Sequence, residues 1–179
     1  MSDHSISIVP RQSNYPDNQA KAKEILNWLV AEDIVKPMLS DCILGSNNGY
    51  AVSAGAKHIT TLPDQLPFNL VINGLEIITE RQVFDTGETY ADELICPNCL
   101  ENILFENWDL NPWNDQVSDN LTCPLCGHET GIHNFTFDPE WGFSNLGFRF
   151  WNWPDFTDDF TTKFKQKLGC DISIVYQHI

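Results

Sequence analysis

The sequence predicts an α+β protein with a mixed or antiparallel sheet, two main helices and an inserted four-cysteine zinc ribbon, and three observations carry that prediction. Apolar residues alternate at period two near both ends of the chain. Two stretches repeat at helical spacing between recognisable start and stop residues. Two Cys-Pro-x-Cys pairs flank a long acidic and aromatic loop in the middle. The expected organisation is an N-terminal αβ part over residues 1–90, a zinc-ribbon insert over 91–131 and a C-terminal ββαβ part over 132–179. The outer two parts can share one core, although the sequence leaves open whether they share one sheet.

In chain order, Ser5-Ile6-Ser7-Ile8-Val9 alternates and reads as a strand that Pro10 ends. A helix is expected from Asp17 or Asn18 as N-cap to about Asp33, with Ala22, Ile25, Leu26, Leu29 and Val30 as its apolar stripe and Trp28 widening that face. DCILG and GYAVSAGAKHIT flank SNNG, whose Asn and Gly tolerate positive φ, so a hairpin is expected there. FNLVI and LEIIT read as two strands joined by a type I′ turn at Asn73-Gly74, and QVFD as one more.

Beyond the cysteines, IHNFTF and LGFRFWNW are strand candidates, and alternation within FRFWNW turns one face inward. The second helix is expected from about Thr157 to Leu168. Asp155 or Thr157 can cap it, Asp158 and Asp159 sit at the positive end of its dipole, and Lys163, Lys165 and Lys167 lie near the negative end, with Gly169 as the stop. Phe156, Phe160, Phe164 and Leu168 line one face. DISIVYQHI closes the chain as a strand whose Ile172-Ser173-Ile174-Val175 repeats Ile6-Ser7-Ile8-Val9, as two similar strands of one sheet would.

The chain has 179 residues, 42% of them hydrophobic, which suits a globular core. It shows neither a basic n-region followed by an apolar run at its start nor a stretch near the ~18 apolar residues of a membrane span, so a soluble, cytoplasmic protein is expected. In a reducing compartment six cysteines point to metal ligands and buried thiols before disulfides. Acids outnumber Lys and Arg 25 to 10, for a formal charge of −15. The imbalance is local: between Arg81 and Arg149 there are twelve Asp and Glu and no Lys or Arg, a formal charge of −12.

Cys96, Cys99, Cys123 and Cys126 form two C-x2-C pairs 23 residues apart. Each pair can curl into a knuckle aiming both thiolates at one ion, and two knuckles complete the four-sulfur shell that zinc accepts. Pro97 and Pro124 pre-set the knuckle φ, and Gly127 can relieve strain just after the second. Four sulfurs leave no open coordination position, which disfavours a catalytic metal, and the ribbon-type spacing favours structural zinc over a redox or iron role. His128 and His133 stand close enough in sequence to replace a ligand or support one, but four cysteines already fill the shell.

Zinc ribbons often serve nucleic-acid machinery, yet affinity for a polyanion comes largely from Lys and Arg, and this ribbon has none. Direct nucleic-acid binding is therefore disfavoured. A basic protein partner is favoured instead, with Trp108 and Trp113 as candidate interface anchors and Asp109 and Asp115 among the carboxylates that would steer it. The competing reading places both tryptophans in the ribbon's own small core.

No catalytic residues are assigned. Cys42 and His58 read as a buried thiol and a surface histidine, Asp158 and Asp159 diverge by about 100° on a helix, and the glycines at 45, 49 and 55 lack a following Gly-Lys-Ser/Thr.

Two stretches, SISIVPRQSNYPDNQAKAKEILNWLV and GFRFWNWPDFTDDFTTKFKQKLG, with the CPNC and CPLCG knuckles between them, resemble an uncharacterised family of small bacterial cytosolic proteins. The resemblance implies a bacterial, cytosolic origin and supplies no catalytic residues. The transporter-ATPase label that such families sometimes carry finds no P-loop here to support it. The expected function is a zinc-stabilised acidic protein that binds a protein partner, in concrete form an immunity-type or inhibitor protein masking a basic toxin or nuclease. One alternative is a zinc-ribbon accessory of transcription or nucleic-acid machinery. The other is an enzyme using a cleft between the αβ parts.

Overall fold

The computed structural model describes residues 2–179. Its first half forms β1 (His4–Pro10), α1 (Asn18–Ala31), β2 (Val35–Ser40), β3 (Gly49–Val52), β4 (Leu75–Ile78) and β5 (Gln82–Phe84). The cysteine region adds β6 (Glu93–Ile95), α2 (Asn111–Asn114), β7 (Asn120–Thr122), β8 (Glu129–Gly131) and β9 (Thr136–Asp138). Then come β10 (Gly142–Ser144), β11 (Gly147–Trp151), α3 (Asp158–Leu168) and β12 (Ile172–His178).

The repeated Ile-Ser-Ile-Val segments are sheet neighbours: β1 and β12 pair antiparallel, with Ile8 opposite Ile174 and Ser7 opposite Val175. They open a six-stranded sheet of order β12-β1-β11-β4-β3-β2, in which every pairing is antiparallel. Because β1 lies between β12 and β11, the N- and C-terminal parts interleave in this one sheet.

Period-two alternation decides what each sheet face buries. Ile6 and Ile8 of β1, Leu75 of β4, and Phe148 and Phe150 of β11 join one core with Ile25 and Leu29 of α1 and Phe160, Phe164 and Leu168 of α3. Each such side chain contributes about 2 kcal/mol when fully buried. Trp28 ties the helices together, stacking on Phe160 at 5.6 Å and meeting Phe164 edge-on at 5.5 Å. On the other face, Val9, Ile78, Phe84 and Val175 form a smaller cluster and Cys42, Ile43 and Trp151 another, while β5 and β10 pair as a separate two-stranded ribbon.

The caps show why α3 starts and stops where it does. Thr157 Oγ1 accepts the Phe160 N–H at 3.3 Å, and Gly169 ends the helix at φ 70°. Thr157→Ala should therefore cost about 1 kcal/mol in urea denaturation, and Thr157→Ser should recover most of it. Asp17 precedes α1 at φ 48°, but its side chain makes no capping bond.

Three segments differ from the sequence-based expectation. The partner of β3 is VKPMLS, and DCILG belongs to the connection between β2 and β3. β2 lies at the sheet edge, exposed at every residue after Val35, and its register slips between Val35 and Leu39, which is where Pro37 is tolerated. It therefore lacks the alternation by which a strand is recognised.

The second difference is Phe68–Ile72, which forms no strand because both edges of β4 are taken by β3 and β11. Asn73 and Gly74 instead donate their N–H groups to the Cys42 carbonyl, each at 2.9 Å. A Cβ on Gly74 would stand 2.2 Å from Cys42 Sγ, so this glycine permits a close approach and not a type I′ turn. Third, IHNFTF splits into a 3₁₀ turn over Ile132–Asn134 and β9, because Ile132 turns into the ribbon core. Among the described residues no helix is long and apolar enough to cross a membrane.

Candidate metal centre

Each C-x2-C pair closes as a knuckle through the same two backbone bonds. In the first, Leu100 N–H donates to the Cys96 carbonyl at 3.0 Å and Cys96 N–H to the Glu101 carbonyl at 3.1 Å. In the second, Gly127 N–H donates to Cys123 and Cys123 N–H to His128, both at 2.9 Å. β6 leads into the first knuckle, and β7 and β8 pair on either side of the second.

The four sulfurs converge, with all ligand atoms within 4.8 Å of one another. Cys96 and Cys126 Sγ are 3.8 Å apart, as are Cys99 and Cys123 Sγ. A tetrahedron with metal–sulfur bonds of about 2.3 Å has an edge of about 3.8 Å, whereas a disulfide requires about 2.05 Å. The spacing thus fits four ligands around one ion. Asn98 supports two of them, its backbone N–H reaching Cys96 Sγ at 3.4 Å and its side-chain amide Cys126 Sγ at 3.5 Å. The Asn98 amide and the backbone N–H of His128 hold the Cys126 thiol down, to about 6, which favours the thiolate a metal needs.

Neither histidine joins the cluster. His128 is exposed. The His133 ring bonds the Phe143 carbonyl through Nε2 at 2.9 Å, and burial pushes its pKa down to about 4. The imidazole is therefore neutral, with its proton on Nε2.

Around the knuckles lies a second core of Leu94, Ile103, Trp113, Leu121, Ile132, Phe135, Phe137 and Phe143, which also includes Cys96 and Cys123. Trp113 is 1% exposed, and its indole N–H donates to Ser13 Oγ of the main body at 2.9 Å. Burial removes it as an interface anchor, a correction to the sequence-based expectation. Trp108 is half-buried against Phe137 and Trp141, with its indole N–H on the Leu104 carbonyl at 2.9 Å, so it too serves mainly this core. Asp109 and Asp115 remain at the surface, the former accepting the Asn111 N–H at 2.9 Å.

Two arginines fasten this module to the sheet. Arg81, its side chain 5% exposed, donates from Nε to the Trp113 carbonyl (2.9 Å), from Nη1 to Asn14 Oδ1 (3.0 Å) and from Nη2 to Asp119 (2.8 Å), with its guanidinium 4.0 Å from the Trp113 ring centroid. Arg11 pairs with Glu140 at 2.9 Å, donates to Ser173 Oγ at 3.2 Å and bonds the His133 carbonyl. Sequence reasoning missed both. A signal existed, because Arg81 is the last cation before a long acidic run.

One difference between the knuckles lies just after their second cysteines. The residue after the second cysteine has positive φ in both, 76° at Gly127 and 62° at Leu100. Glycine accepts this region freely, whereas an L side chain there costs about 1 kcal/mol or more. Leu100 is also 73% exposed, so packing within the chain does not account for it.

Comparison of the chain with protein-family models, curated proteins and solved structures found no match.

Proposed function

We propose that this chain is a zinc-stabilised binding protein that acts in the bacterial cytoplasm and whose acidic ribbon surface engages a basic protein partner. Zinc is the ion that four thiolates at tetrahedral spacing suit best, and its closed shell assigns it to holding the ribbon together. The observation that carries the partner reading is the state of the acids between Arg81 and Arg149. Asp119 pairs with Arg81 and Glu140 with Arg11; the others form no ion pair among the described residues, and all of those except Asp85 are exposed. Such a surface repels phosphates and accelerates encounter with a cationic protein. A concrete form is an immunity-type or inhibitor protein that masks a basic toxin or nuclease.

The test is capture from an extract of the protein's own cells on the immobilised chain, followed by elution with salt. The expected result is a basic protein whose association rate falls at least tenfold between 50 and about 500 mM salt, as electrostatic steering is screened. Recovery of nucleic acid without protein, or a partner whose association ignores salt, would refute the reading.

A further inference from the structure

We infer that the tip of the ribbon, centred on Leu100 and Leu125, is the docking surface for a partner protein that presents apolar side chains ringed by Lys or Arg. This inference rests on the reading of the ribbon as a protein-binding module. Leu100 follows Cys99 and Leu125 precedes Cys126, so the convergence of the sulfurs sets both leucines around one centre. They are 73% and 51% exposed. Glu101, whose carbonyl closes the first knuckle, and Glu129, which pairs with Thr122 next to the second, are both exposed.

Leu100 carries the argument. The matching position of the other knuckle uses Gly127 with the same left-handed backbone and the same bond to the first cysteine's carbonyl. An exposed leucine there serves neither the backbone nor the chain's own packing. A residue kept against its conformational preference, at the surface, points to a contact outside the chain. Charge selects the occupant. No Lys or Arg lies between residues 81 and 149, so a second copy meeting this one tip to tip would bring like charge, and a polyanion would too. A basic protein brings the opposite charge, with the leucines as the desolvated centre and the glutamates as rim.

The test uses the full-length, metal-loaded chain and two immobilised helical peptides of equal charge. One carries a leucine stripe flanked by lysines, and the other replaces the leucines with serine. Wild type should bind the leucine peptide at least tenfold more tightly than the serine one. Leu100→Gly combined with Leu125→Ser should abolish that difference while keeping metal content and without lowering Tm. Met38→Ser, which removes a side chain 76% exposed on the edge strand β2 and so controls for general stickiness, should bind like wild type. A double variant that still prefers the leucine peptide would overturn the tip as the docking surface while leaving an acidic protein-binding ribbon intact. Failure of wild type to bind either peptide would overturn both readings. Sedimentation showing a dimer that the double variant loses would assign the surface to a second copy instead.

Discussion

Cys123→Ser is expected to strip the metal from the chain and unfold the ribbon while the six-stranded sheet stays folded. Cys123 and Cys96 are the two buried ligands, each within the small core that surrounds the knuckles. A serine hydroxyl at neutral pH is no substitute for a thiolate, and structural zinc supplies about 10–16 kcal/mol of folding free energy in finger peptides. Even with much of that recovered by residual packing, the loss should be on the order of 5 kcal/mol. The sheet has its own core on α1 and α3, so the loss stays local.

The measurements follow from that separation. Metal analysis should fall from one ion per chain to a small fraction. Emission from Trp108, Trp113 and Trp141 should shift red, while far-UV signal from α1 and α3 persists. Cys96→Ser should behave the same way, and Cys126→Ser more mildly because that ligand is exposed. Wild-type metal content in the Cys123→Ser protein would rule out the four-sulfur site.

The helices and the metal cluster were legible because their signals are local. Thr157, Phe160, Phe164 and Gly169 lie within one helix and its caps, and Cys96, Cys99, Cys123 and Cys126 declare their geometry by spacing. The Ile-Ser-Ile-Val repeat was legible for a similar reason, since alike strands suit alike places in a sheet. Neighbours far away in sequence defeated the rest. Phe68–Ile72 has the apolar character of a strand, but both edges of β4 were already filled by strands that no local pattern reveals. Asn73-Gly74 has the letters of a hairpin turn, yet glycine there answers to Cys42, more than thirty residues earlier. Trp113 could be weighed as surface or core only until Ser13 and Arg81 closed over it.

Arg81→Ala is expected to loosen the ribbon from the sheet at a cost of about 3 kcal/mol, summed over its contacts. The ion pair with Asp119 is the smaller share, because Asp119 is 51% exposed and water can replace the arginine there. The larger share comes from the Trp113 carbonyl, left with only the Gln116 N–H at 3.2 Å, and from the bared face of the Trp113 ring. Arg81→Lys keeps the charge but not the planar fork that serves Trp113, Asn14 and Asp119 together, so it should recover less than half of the loss. For a chain of this size, 3 kcal/mol corresponds to a Tm decrease of roughly 6–12 °C. Exchange of the Trp113 indole proton, held on Ser13, should accelerate in both variants. Full recovery by lysine would mean that charge alone holds the junction.

The same contacts predict a coupling with the metal. In Cys123→Ser the ribbon core that presents Trp113 to Arg81 is already lost, so adding Arg81→Ala should cost far less than it does in wild type. Two additive losses would mean instead that the clamp and the metal hold separate structures. The position of Trp113 argues against that, since its ring packs on Phe143 in the core of the ribbon while its indole N–H and carbonyl are held by Ser13 and Arg81.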